Sequence, residues 1–182
     1  MGRKQLFINE LSKYEGALEF FNELKSCSTV SFVGGSVRNI LTKYNKSPIK
    51  DFDFCIIVED RVKFNKVLKN KNIITNRLGG NKVFLKDIVF DIWELNKTVT
   101  ADKLVSNFKD LSESATINYD GIVYDFTNDI LHDEPFLDCI NNNKVKLINK
   151  NNLNTEYLHL KMKKLESLYN FEIDEEIIDL IS

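Results

Sequence analysis

Apolar residues recur along this chain at two spacings, and the switches between them lay out an order of elements. Between residues 4 and 26, Leu6, Phe7, Leu11, Leu18, Phe21 and Leu24 recur at helical intervals, with a break at Gly16. "TVSFV" (29–33) is β-branched and aromatic and predicts a strand. Gly34-Gly35 ends it, Ser36 is placed to cap, and "VRNILTKY" (37–44) predicts a short helix. "FDFCIIV" (52–58) predicts a second strand. "DRVKFNKVLKN" (60–70) predicts an amphipathic helix with Val62, Phe64 or Val67, and Leu68 inward. "KVFLK" (82–86) and "IVFDIWEL" (88–95) predict two further strands joined at Lys86-Asp87.

In the second half, "TINYDGIVYDF" carries Asp120-Gly121 between two strand-like runs, which predicts a hairpin. "KVKLI" (144–148) predicts a last short strand. From Asn154 onward, Leu158, Met162, Leu165 and Leu168 mark a helix, followed by one or two helical turns over 175–181. No repeat is present. The plan is α+β: a small mixed sheet with flanking helices over residues 1–150, then a short helical segment over 151–182.

Composition narrows the setting. The 182 residues are 43% hydrophobic with 13 Phe, ample for a core. A formal charge of −2 gives no global pull toward nucleic acid, so any such contact needs a local basic face. Cys27, Cys55 and Cys139 are odd in number and form no CxxC pair, which points to reduced thiols of a cytoplasmic protein rather than a disulfide framework or zinc site. The N-terminus lacks an apolar signal core, and no run of about 18 apolar residues exists, so a soluble protein with no membrane partner is expected.

Two places carry unexpected chemistry. In a strand, Asp51 and Asp53 project the same way, roughly 7 Å apart, while Phe52 and Phe54 point to the opposite, buried face. Adjacent carboxylates repel unless a cation lies between them, and Mg2+ (or Mn2+) suits hard oxygen ligands that share it with substrate phosphates. Asp91 sits in the apolar strand "VFDIWEL" on the face of Val89 and Trp93. If that strand neighbours the Asp51–Asp53 strand, three acids meet and can serve a two-metal phosphoryl transfer. Gly34 and Gly35 let backbone approach a triphosphate, the following helix offers free N–H groups, and Ser36 and Arg38 stand beside them as further nucleotide-binding candidates.

"VGGSVRNIL…KDFDFCI" resembles the nucleotidyltransferase head of class II tRNA CCA-adding enzymes and bacterial poly(A) polymerases, in the DNA polymerase β superfamily. Gly34, Gly35, Ser36, Val37 and Arg38 match the GG[AS]VRD signature, with Asn39 in place of the last aspartate. The resemblance implies a polymerase β-like palm followed by a neck-like segment, with catalytic magnesium at Asp51, Asp53 and Asp91. It extends to "ATINYDGIVYDF", similar to RRDFTINALAYD, which implies nucleotide binding at Asn118. "FLDCINNNKVKLI" and "LESLYNFEID" are similar to later family segments, so the resemblance covers about residues 29–175.

Departures accompany the match. Glu113-Ser114 stand where the family has Arg-Asp, and "NTEYL" (154–158) lacks the Asp and Arg of the base-reading E-D-x-x-R. The expected activity is transfer of a nucleoside monophosphate from an NTP to a hydroxyl, an RNA 3′ end of tRNA type, without ordered C-C-A addition. Lys161 and Lys164, i,i+3 on the C-terminal helix, are candidates for a backbone phosphate. Two alternatives stand beside this. One is a protein or small-molecule acceptor; the other is an idle regulatory module partnering another chain.

Overall fold

The computed structural model describes residues 1–42, 44, 48–76, 79–97, 99, 100, 103–151 and 153–182. They group into two compact units: Met1–Thr98 with Val123–Leu131, and Val99–Ile122 with His132–Ser182. This grouping does not follow a division after residue 150, since residues 99–122 and 132–150 fall with the C-terminal helices.

In the first unit, helices α1 (Arg3–Leu11) and α2 (Ala17–Lys25) are separated at Gly16, whose φ of +75° only glycine adopts freely. Strand β1 (Ser28–Val33), helix α3 (Gly35–Leu41), strand β2 (Asp51–Val58) and helix α4 (Arg61–Lys69) follow. Next come β3 (Asn72–Thr75), β4 (Asn81–Phe84) and β5 (Val89–Glu94). The helix expected over 37–44 ends at Leu41, because Thr42 is extended; Lys43 lies outside the described residues. Two-residue strands β6 (Val99–Thr100) and β7 (Lys103–Leu104) and helix α5 (Phe108–Glu113) open the second unit. Strands β8 (Val123–Asp125) and β9 (Ile130–His132) return to the sheet.

Among the described residues, one seven-stranded sheet has the order β3-β4-β5-β2-β1-β8-β9. The pairs β3–β4, β4–β5, β1–β2 and β1–β8 are antiparallel, and β2–β5 is parallel. The inner face buries Phe32, Phe52, Phe54, Phe90 and Ile92 beneath α1 and α2. Phe7 meets Phe32 at 4.4 Å between ring centroids, Phe20 meets Phe90 at 5.1 Å, and Phe21 meets Phe54 at 5.7 Å. Each ring so buried contributes about 2–3 kcal/mol of transfer free energy, so this aromatic layer fixes which sheet face is inward. The opposite face is left for chemistry.

Helix α4 is capped by Asp60, whose carboxylate accepts from the Lys63 N–H at 2.9 Å. That start point turns Phe64 inward and leaves Val62 81% exposed, against the inward position its spacing suggested. Arg61 forks onto both oxygens of Glu94 at the end of β5, and Lys97 donates to the same carboxylate at 2.7 Å. These hydrogen bonds, Arg61 first, hold the Glu94 pKa down at about 2 although burial opposes them.

The second unit adds α6 (Glu134–Asn142), β10 (Lys144–Val145), α7 (Thr155–Tyr169), β11 (Glu172–Ile173) and α8 (Glu175–Ile181). β10 and β11 pair in parallel. Leu158, Met162 and Leu165 are buried as their spacing predicts, whereas Leu168 faces outward. The Asp120-Gly121 hairpin does not form. Asn118–Asp120 is a 3-10 turn, and Gly121 is required by a close approach: a Cβ there would stand 2.6 Å from Pro135 Cβ and 2.7 Å from the Ser112 carbonyl. No helix among the described residues is long and apolar enough to cross a membrane.

Candidate active site

The outer face of the sheet carries a row of side chains set by strand register. Asp53 on β2 lies directly beside Asp91 on the parallel strand β5, with Asp51 beside Val89 one step along the same face. Neighbouring strands are about 4.8 Å apart, so the Asp53 and Asp91 carboxylates are held side by side. Lys82 on β4 is opposite Asp91, and Ile74 on β3 is opposite Lys82. The row across the face therefore reads Ile74, Lys82, Asp91, Asp53.

Electrostatics follow from that row. Asp51 is exposed, Asp53 half-buried and Asp91 buried. Burial, then the charge of Asp51, then that of Asp91 push the Asp53 pKa up to about 7, with Lys82 and Arg38 opposing. Asp91 accepts from Lys82 Nζ through Oδ2 at 2.9 Å. Its Oδ1 is buried, and among the described residues no hydrogen-bond partner reaches it. Lys82 is held more firmly protonated than an ordinary lysine, by its hydrogen bond to Asp91 and then by the Asp91 charge.

Three crowded carboxylates with a buried, partnerless oxygen are a donor set that fits a divalent cation of the Mg2+ class. They are not drawn into a finished ligand shell. Among the described residues, no group of three or more His, Cys, Asp or Glu stands ready to hold an ion. Lys82 takes the place of a cation on Asp91 instead.

The glycine turn lies between β1 and α3. Gly34, not Ser36, occupies the N-cap position, with φ +62° and ψ −119°. The Ser36 hydroxyl is buried and donates to the Val33 carbonyl at 3.3 Å, so it tightens the turn and does not cap the helix. A Cβ on Gly34 would meet nothing within 4 Å, and one on Gly35 would lie 3.9 Å from the Arg38 guanidinium. Arg38 is 7% exposed on α3, and its charge is felt at Asp53.

A scan of family models gives no match to this sequence, and a search of curated proteins gives none either. Solved structures do match. A CCA-adding enzyme in complex with CTP superposes with a TM-score of 0.61 at 16% identity, over all of this chain and 45% of that one. The Thermotoga maritima CCA-adding enzyme complexed with tRNA gives 0.59 at 17% identity, over 89% of this chain and 38% of its own. A tRNA nucleotidyltransferase with a primer tRNA and an incoming ATP analog gives 0.58 at 12% identity, over 88% and 47%. This chain has the fold of a nucleotidyltransferase head domain. It spans less than half the length of those three proteins, between 38% and 47%.

Other residues singled out in the sequence of this head-domain fold lie in the second unit. Asn118 is fully buried there. Its amide donates to Asp138 at 3.0 Å and to the Lys144 carbonyl at 3.2 Å, and accepts from the Lys146 N–H at 2.9 Å. Both amide hydrogens are thus engaged internally, and Asn118 ties the 3-10 turn to α6 and β10. Asn154 caps α7, its side-chain oxygen accepting from the Tyr157 N–H at 2.9 Å. Lys161, a phosphate candidate from sequence, is instead ion-paired with Asp120 within this unit. Lys164 remains exposed. The residue that pattern reading missed is Lys82. A lysine beginning an apolar run carries no signal by itself; only the β4–β5 register sets it on Asp91.

Proposed function

We propose that this chain is a metal-dependent nucleotidyltransferase that moves a nucleoside monophosphate from an NTP to a hydroxyl, an RNA 3′ end of tRNA type. The observation that carries the reading is the side-by-side placement of Asp53 and Asp91 on paired strands, with Asp51 on the same face. The RNA acceptor is supported by the matching folds, whose structures include complexes with CTP, with tRNA, and with a primer tRNA and an ATP analog.

In this reading Asp51, Asp53 and Asp91 hold Mg2+ (or Mn2+). The ion, when bound, supplies positive charge for the phosphate oxygens and acidifies the acceptor hydroxyl. The chain's own residues do the positioning. Gly34 and Gly35 present open backbone to the triphosphate, and Arg38 adds a fixed positive charge beside it. In the transfer the acceptor oxygen bonds to the α-phosphorus, the bond from that phosphorus to the α–β bridging oxygen breaks, pyrophosphate leaves with that oxygen, and the hydroxyl's proton passes to solvent water. The β5 ladder pairs Asp53 directly and the β1 ladder ends at the next residue, Phe54, so the Asp53 backbone is held in place, which such a step requires of its charged groups.

The test is incubation of the protein with labelled NTPs, Mg2+ and total tRNA. Labelled RNA is expected, and Asp51→Asn and Asp91→Ala should each lower incorporation by at least about 100-fold. Label in protein or in a small molecule would transfer the activity to another acceptor. No label anywhere would mark the chain as a catalytically idle module.

A further inference from the structure

Lys82 has a place in the row of side chains that the transfer reaction leaves unexplained. Its ammonium lies 2.9 Å from Asp91 Oδ2, on a carboxylate whose other oxygen is buried and without a partner among the described residues. The pair is asymmetric: the Asp91 side chain is 11% exposed and that of Lys82 44%. The carboxylate is therefore fixed in the protein, and the ammonium reaches it from the solvent side. Cross-strand pairing with both Asp91 and Ile74 fixes the Lys82 backbone, so only its flexible four-carbon stem is free to move the charge. Asp53, directly beside Asp91, adds a second carboxylate to the same spot.

A divalent ion held by Asp53 and Asp91 and an ammonium held by Asp91 are like charges competing for one carboxylate. We infer that Lys82 is the built-in counter-ion of this face: it holds Asp91 until a divalent ion and a triphosphate arrive together and displace it. The inference rests on the metal-binding reading above and deepens it. An ion alone must evict the ammonium without offering it another partner, so it binds weakly. A metal–nucleotide complex brings phosphate oxygens that accept the released ammonium, so ion and substrate load together.

The experiment titrates Mn2+ into the EDTA-treated full chain, followed by electron paramagnetic resonance, with and without a non-hydrolysable NTP. Lys82→Met is expected to bind Mn2+ alone about tenfold more tightly than the wild type, and the nucleotide should narrow that gap. Lys50→Met removes the same charge next to Asp51 without touching Asp91 and should change affinity by less than about twofold. Asp91→Asn should abolish the gain in a Lys82→Met background. Lys82→Gln, which keeps a polar tip, serves if Lys82→Met fails to fold. Equal Mn2+ affinity in wild type and Lys82 variants would overturn the inference alone, as would an equal gain in Lys50→Met, which would reduce the effect to net charge. No Mn2+ binding by any protein, with or without nucleotide, would overturn the metal reading itself.

Discussion

At Asp53 the folded chain holds a carboxylate where its charge is disfavoured, with burial and the neighbouring Asp51 and Asp91 pushing its pKa up to about 7. A carboxyl whose pKa is higher folded than unfolded binds more protons in the folded state between the two values. Stability is then greatest below the unfolded value near 3.8 and falls as the pH rises toward about 7. Asp53→Asn removes that liability. In EDTA, the variant is expected to be more stable than the wild type at about pH 8, by on the order of 2–4 kcal/mol, and equally stable near pH 4. Urea unfolding at the two pH values checks this. Equal stability at the higher pH would mean that Lys82 and Arg38 already neutralise the charge. That Asp51 and Asp53 share a face was legible in the sequence, because strand alternation is local. The repulsion from Asp51 was legible too; the larger effect of burial, and the added charge of Asp91 across a ladder between distant segments, were not.

Among the elements, the turn from β1 to α3 separates two glycines that look equivalent in sequence. Gly34 has φ +62°, a conformation that an L-residue holds only at a cost, although its Cβ would have open space. Gly35 has no such φ, and a Cβ there would make only an ordinary contact with Arg38. Gly34→Ala should therefore cost about 1–3 kcal/mol, and Gly35→Ala no more than about 0.5 kcal/mol. Thermal melts of the two variants decide it, and an equal loss in both would refute the backbone account. Elsewhere the same kind of local signal misleads. Asp120-Gly121 is a strong hairpin signal, yet Gly121 is small because Pro135 and the Ser112 carbonyl press against it. The edge strand β3 was not read from the sequence: Ile73, Ile74 and Thr75 are β-branched, but the run is only four residues and shows no apolar–polar alternation.

For the whole molecule, base choice is the property most exposed by the departures from the resembling family. Discrimination between bases needs fixed donors and acceptors aimed at a base edge. At 154–158, Asn154 directs its oxygen to the Tyr157 N–H as a helix cap, and neither Asp nor Arg is present in the segment. Within the same unit, Lys161 is tied to Asp120. On a tRNA lacking its 3′ end, with all four NTPs, the sequenced products are expected to lack ordered C-C-A. Clean C-C-A addition would overturn this expectation while leaving the transfer reaction intact.

The sequence by itself determined what is local: the order of helices and strands from α1 to β5 apart from β3, the glycine turn ahead of a D-x-D strand, and the α+β plan. Each rests on the spacing of near neighbours, which a linear pattern records directly. The tertiary structure alone decided that β2 and β5 run parallel and adjacent, that Asp53 and Asp91 therefore meet, and that Lys82 closes the row on its other side. It also decided that Asn118 and Lys161 are engaged within their own unit. The physical reason is that strand order and register come from pairing between segments far apart in the chain, and a one-residue slip of β2, β4 or β5 would carry that strand's charges to the buried aromatic face.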